Sequence, residues 1–221
     1  TNEIKSFHDN QTVFDGFWID MNEPANFATD TGNLWSGNPY YNCSSSRLNW
    51  PKFMPQKYHT QGTPIFHKTA CMDTVHVLDN LSSSEYGPGL GNGEIHHYNI
   101  HNMYAYSQAK PTKSACEKAT GKRCVITSRS NFPGSQKWVG HWLGDNSAEW
   151  DFMKNSIVQM LEYSIFGYSY TGCDICGFFG DSSKELCQRW TQLGAFYPMS
   201  RNHNSISNHP QDPGSFNEPG E

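Results

Sequence analysis

The sequence has no apolar run long enough to span a bilayer, which takes about 20 residues. Hydrophobic residues make up 36% of its 221 positions. It has no block of basic residues, and 16 Lys and Arg against 21 Asp and Glu leave a net charge of −5. That balance argues against phosphate-backbone binding, so no nucleic acid is expected as a partner. The glycines at 87, 89, 91 and 93 have no strand pattern before them and no GK[ST] after them, which excludes a phosphate loop. No G-x-S-x-G elbow supports a serine hydrolase. No signal-peptide pattern opens the chain, whose first residues, TNEIKSFHDN, are polar. Any membrane attachment is therefore expected outside this sequence.

Cysteine, by contrast, is plentiful, with seven residues. Cys173-x-x-Cys176 has no second such pair to make a zinc knuckle and no thioredoxin-like context, so disulfides with one thiol left over are the better reading. Three N-x-S/T sequons, at Asn10, Asn42 and Asn80, join the cysteines in pointing to an oxidising compartment and to glycosylation. Glu94, His96, His97 and His101 are ligand-type side chains, and His97-x-x-x-His101 has helical zinc spacing. H-E-x-x-H is missing, and no metal is expected. Aromatics, at 14%, suit stacking on sugar rings but on composition alone read as core.

The hydrophobic pattern predicts a buried strand at 13–20 (VFDGFWID), then a long excursion over 24–93, rich in Asn, Ser, Gly and Pro, with little regular structure. Residues 96–119 read as helical, with Pro111 starting a second helix or kinking the first. Strands follow at 123–128, 138–143 and 168–173. An amphipathic helix is expected at 147–166, with Ser147 near its N-cap and Glu149 in its first turn. Another helix at 182–194 leads into a last short strand. The tail from 207 onward is polar, and it is expected to order only against parts of the protein outside this sequence. Strands alternating with helices make an α/β chain with a parallel sheet. Asp20, Arg129, Asp145 and Asp174 all fall just after strands, where a (β/α)₈ barrel carries its chemistry. About five strands are countable, whereas a closed barrel takes eight and roughly 250 residues. The 221 residues therefore read as one partial catalytic barrel domain, the C-terminal part (about strands 4 to 8), with a long loop insertion.

Five blocks carry a family resemblance. They are Phe17-Trp18-Ile19-Asp20-Met21-Asn22-Glu23-Pro24, Ser128-Arg129-Ser130-Asn131-Phe132, Gly140-His141-Trp142-Leu143-Gly144-Asp145-Asn146, Gly172-Cys173-Asp174-Ile175-Cys176-Gly177-Phe178, and Gly194-Ala195-Phe196-Tyr197-Pro198 with Arg201-Asn202-His203. In this order the chain resembles the α-glucosidase branch of glycoside hydrolase family 31, in the animal maltase-glucoamylase, sucrase-isomaltase and acid α-glucosidase group.

The resemblance implies Asp20 as nucleophile and Asp145 as acid/base of a retaining, exo-acting α-glucosidase. It would release terminal, mainly 1,4-linked glucose from maltose and malto-oligosaccharides, with no cofactor. An ionised Asp20 would be favoured by Arg129, and a protonated Asp145 by desolvation beside Trp142. Trp18, Trp142 and Phe178 are expected to wall the glucose subsite. Met21 is expected to pack on the sugar, and Arg129 and His203 to hold hydroxyls. Asp174 is expected to bind a hydroxyl or Arg129, more in support than in catalysis. Glu23 reads as a structural hydrogen bonder. The family's animal members suggest Cys43–Cys71 and Cys176–Cys187 disulfides, and Cys116 and Cys124 remain a possible third pair.

The family also supplies an Asp from an earlier strand that this sequence lacks, so the remainder of the polypeptide is expected to complete the barrel. The implied location is the secretory pathway, whether extracellular, apical membrane-anchored or lysosomal. Two readings compete: α-1,6 or sucrase-type specificity in the same family, and a non-catalytic carbohydrate-binding homologue. Loss of either Asp would have favoured the second, and both are present.

Overall fold

The computed structural model describes residues 2–26, 43–54, 64–77 and 94–217. Asn42, Asn80 and the glycine-rich stretch therefore lie outside the described residues. The chain separates into two compact units, Thr1–Asp20 with Gln108–Glu221, and Met21–Ser107.

The first unit opens with helix α1 (Asn2–Asn10) and strand β1 (Gly16–Ile19). The chain returns to it through α3 (Tyr104–Thr120), which belongs to this unit from Gln108 onward. Strands β4 (Val125–Ser128), β5 (Gly140–Trp142) and β6 (Thr171–Gly172) follow, with α4 (Trp150–Ile165) between the last two. Together β1, β4, β5 and β6 form a four-stranded sheet in that spatial order. Every pairing is parallel, with Ile19 opposite Ser128, Ser128 opposite His141, and Trp142 opposite Gly172. Strands taken in chain order, each parallel to the last, are the progression of a barrel wall.

Beyond β6, strand β7 (Asp174–Ile175) pairs in parallel with β8 (Arg201–Asn202), and α5 (Lys184–Gly194) lies between them in sequence. Of the strand expected at 168–173 only Thr171–Gly172 forms, and a second short strand just beyond it turns to a different neighbour. Thr171–Gly172 pairs with β5, and Asp174–Ile175 pairs with β8. Gly172 is required at this crossing, because a Cβ there would sit 1.9 Å from the Met199 carbonyl oxygen.

Helix α5 begins where Ser183 Oγ accepts from the Leu186 amide, with Glu185 in the first turn to favour the dipole. It buries Leu186, Cys187, Trp190 and Gly194 on one face, against Cys173, Ile175, Cys176 and Tyr197. The Cys176–Cys187 disulfide crosses this core. A second core joins Ile19, Ala109, Cys116, Cys124, Ile126 and Val139, and here Cys116 and Cys124 are bonded. Cys173 is a buried free thiol.

Three sequence expectations need correction. Helix α4 starts at Trp150, with Glu149 at the N-cap position in extended conformation and making no side-chain cap bond. Ser147 is taken up instead by a parallel bridge to Phe179. Of the two expectations for Pro111, the start of a second helix is excluded, because Pro111 lies inside α3, whose ladder lacks one donor there. The tail orders within this unit as far as Asn217. Its anchor is Gln211, only 4% exposed, whose side-chain amide donates to the carbonyls of Ile175, Gly177 and His203 and to Asn202 Oδ1.

The second unit holds an antiparallel pair, β2 (Val75–Val77) with β3 (Glu94–His96), followed by α2 (His97–Ile100). The excursion therefore contains a strand that its composition hides. The Cys43–Cys71 disulfide ties it locally. Asn49, fully buried, accepts from the Met72 amide at 2.7 Å. His97, also fully buried, has Nδ1 3.0 Å from His76 Nε2 and Nε2 2.8 Å from His101 Nδ1. Its two ring nitrogens face separate imidazoles rather than one shared point. Among the described residues, no group of three or more His, Cys, Asp or Glu could hold a metal ion.

Candidate active site

In the first unit the C-terminal ends of successive parallel strands bring the sequence-selected side chains together. Asp20 follows β1, Arg129 follows β4, Asp145 follows β5, Asp174 opens β7 and His203 follows β8. The ladder extends to the brink of the site, where the Arg129 amide donates to the Ile19 carbonyl and the Leu143 amide to that of Gly172. Gly144, at φ +85°, then turns the chain in a conformation that L side chains rarely adopt, immediately before Asp145.

One nitrogen joins the two proposed catalytic groups. Arg129 Nη1 lies 3.4 Å from Asp20 Oδ1 and 3.4 Å from Asp145 Oδ2. Those two oxygens are thus no farther apart than twice 3.4 Å. A guanidinium between two carboxylates offsets their mutual repulsion and fixes their separation. Both carboxylates and Arg129 are partly exposed, as groups that meet a substrate must be.

Behind them stands a buried layer. Asp174 is fully buried, and its Oδ1 accepts from Trp142 Nε1 at 2.9 Å and from Arg201 Nη1 at 3.1 Å. Its Oδ2 is buried with no hydrogen-bond partner among the described residues. Burial pushes the Asp174 carboxyl up to about 7, opposed by the Arg201 charge and the Trp142 donor and reinforced by the negative charge of Asp145. The sequence expectation allowed Arg129 as its partner. The structure gives it Arg201, because parallel pairing sets Asp174 directly opposite Arg201.

The rings of Trp18, Trp142, His203 and Phe178 are linked by contact. Trp18 meets Trp142 edge-on with ring centroids 5.1 Å apart, and His203 lies 6.3 Å from Trp18 and 5.2 Å from Phe178. Trp142 is almost completely buried, whereas 43% of Trp18 is exposed. Burial lowers the His203 pKa, Arg201 lowers it further, and Asp145 and Asp20 oppose both. Met21, at φ 60°, belongs to the second unit.

Sequence reasoning missed two contributors. Asn146 Nδ2 donates to the Asp174 carbonyl, and the Asn146 carbonyl accepts from the Phe178 and Phe179 amides, so it stitches the Asp145 loop to the Asp174 loop. Arg201 stands in the Arg201-Asn202-His203 block, where the sequence alone assigns it no role. The signal for both was adjacency: each directly flanks or closely precedes a selected residue in a recognised block.

All of residues 1–221 match the family described as Glycosyl hydrolases family 31 TIM-barrel domain. Intestinal sucrase-isomaltase of Oryctolagus cuniculus is 48% identical over 219 residues, which is 99% of this chain and 11% of that protein. Lysosomal alpha-glucosidase of Mus musculus is 36% identical over 97% of this chain and 20% of its own length. The chain therefore spans between 7% and 26% of the curated relatives it matches. Among solved structures, the ER glucosidase II heterodimeric complex, a catalytic subunit with the binding domain of a regulatory subunit, aligns with a TM-score of 0.64 at 27% identity, covering 99% of this chain and 19% of that chain.

Proposed function

Because the chain belongs to glycoside hydrolase family 31, we propose that it supplies the nucleophile and the acid/base of a retaining, exo-acting α-glucosidase. Asp20 attacks the anomeric carbon and the glycosidic C–O bond breaks, while Asp145 delivers its proton to the leaving oxygen. Water then attacks the glucosyl–Asp20 ester, Asp145 takes the proton from it, and Asp20 leaves as carboxylate. The observation that carries this reading is the shared Arg129 nitrogen. Its limit of twice 3.4 Å accommodates the roughly 5–5.5 Å of a retaining pair and barely reaches the range, upward of about 6.5 Å, of an inverting one.

Arg129 and His203 offer polar atoms to sugar hydroxyls, and Trp18, Trp142 and Phe178 offer apolar faces. The substrate is taken as maltose and malto-oligosaccharides. The sucrase-isomaltase relatives favour α-1,6 or sucrase-type specificity as a second reading. The disulfides fit the secretory pathway, as do relatives named intestinal and lysosomal. The test is hydrolysis of a chromogenic α-glucoside by the full-length protein. Asp20→Asn and Asp145→Asn are each expected to lower kcat by roughly 10²-fold or more. Full activity in both variants would sink the mechanism.

A further inference from the structure

Arg201 touches more of the candidate site than any role in charge balance requires. It donates to Asp174 Oδ1, and its guanidinium carbon lies 4.5 Å from the Trp18 ring centroid and 5.3 Å from that of Trp142. Its charge also disfavours protonation of His203. Arg129 serves a different set: it faces Asp20 and Asp145 and lies 5.4 Å from the Trp142 ring. The two arginines thus divide the site between the reacting carboxylates and the wall behind them.

We propose that Arg201 is a positioning residue for substrate, holding the Trp18 and Trp142 indoles and the buried Asp174 carboxylate in one fixed arrangement. The inference rests on the glucosidase reading of the site. A guanidinium stacked on one face of Trp18 leaves the opposite face for the C–H surface of a sugar ring. Asp174 is gripped at Oδ1 by Arg201 and Trp142, and its buried Oδ2 has no hydrogen-bond partner among the described residues, so its place depends on that grip. The alternative is that Arg201 only neutralises a buried carboxylate. The two differ in what a lysine can replace: its charge reaches Asp174, but its ammonium cannot stack as a plane.

The charged groups that bear on this arrangement are Arg201 and Asp145 around Asp174, and Arg201, Asp145 and Asp20 around His203. Removing the Arg201 charge leaves burial of Asp174 unopposed by it. The Asp174 proton then persists to higher pH, and so should the acid limb of kcat/KM.

The experiment compares full-length wild type, Arg201→Lys and Arg201→Gln. It measures glucose binding by calorimetry and 4-nitrophenyl α-glucoside kinetics across the acid-to-neutral range. For Arg201→Lys the expected result is a Kd for glucose and a KM raised roughly tenfold, kcat within about twofold, and the acid limb in place. For Arg201→Gln the binding loss is joined by an upward move of the acid limb. Should Arg201→Gln not fold, Arg201→Lys, which keeps the buried ion pair, decides the matter. An Arg201→Lys protein with wild-type Kd and KM overturns the proposal and leaves charge balance as the role of Arg201. A wild type that binds glucose without hydrolysing the glucoside overturns the catalytic reading alone, since the binding comparison still stands.

Discussion

At the scale of single residues, the site is organised around which carboxylates meet solvent and which do not. Asp20 and Asp145 keep part of their surface open and share Arg129, whereas Asp174 is sealed and held by one indole and one guanidinium. Trp142→Phe removes the indole donor and leaves Asp174 Oδ1 with Arg201 alone. The expected cost is about 1–3 kcal/mol of stability, read from denaturant unfolding, with activity falling too. Asn146→Ala should leave the fold largely intact but loosen the Asp145 loop. The expected result is a kcat lowered about tenfold or more with little change in KM, measured on a chromogenic α-glucoside.

Asp20, Arg129 and Asp145 were legible in the sequence because a reacting group is flanked by a distinctive block. Arg201 was not, because its meaning lies in the register that sets it opposite Asp174 and over two rings from other strands. No spacing in the chain encodes that crossing.

At the scale of elements, strands and helices were legible wherever local pattern decided them, as in β1, β4 and α5. The pattern failed where a longer-range partner decided instead. Of the strand read at 168–173 only Thr171–Gly172 forms, and Asp174–Ile175 just beyond it turns to a different neighbour. Ser147 looked like a cap until Phe179 claimed it.

The histidine chain of the second unit was half visible as His97-x-x-x-His101, and its third member, His76, arrives only through the β2–β3 pairing. That chain sets a pH dependence. Burial, then the charges of His101 and His76, lowers the His97 pKa to about 4. Between the ordinary histidine value near 6.5 and that figure, the unfolded chain binds a proton the folded one refuses, so stability falls as pH falls through this window. His141, buried and stacked on Tyr163, is likewise lowered to about 4 and acts in the same direction. The Asp174 carboxyl, raised to about 7, opposes this because the folded chain holds a proton there that the unfolded one has lost. In denaturation measurements the two histidines and Asp174 together leave a net decline of at most about 1.4 kcal/mol per pH unit below about pH 6.5. His97→Gln should flatten the decline, and a slope that is unchanged in this variant would show that the chain plays no part.

At the scale of the whole molecule, the first unit reads as a section of barrel wall. Four parallel strands stand in chain order, followed by the β7–β8 pair. Helix α4 buries only Ser156 fully, while Trp150, Ile157, Val158, Leu161 and Ile165 stand exposed along it, Ile165 at 83%. A face this apolar is normally covered. With the chain spanning 11% of the sucrase-isomaltase relative, the cover is proposed to be the remainder of the same polypeptide. Residues 1–221 produced alone should bind a hydrophobic dye and self-associate, and the full-length protein should do neither. A clean monomer of the isolated segment, without dye binding, would contradict that proposal.

The central claim, however, concerns the two carboxylates joined by Arg129. It is tested most directly by following the first turnovers of an α-glucoside by proton NMR in the full-length enzyme. The account predicts that α-glucose appears first and mutarotates afterwards. Initial release of β-glucose would contradict it.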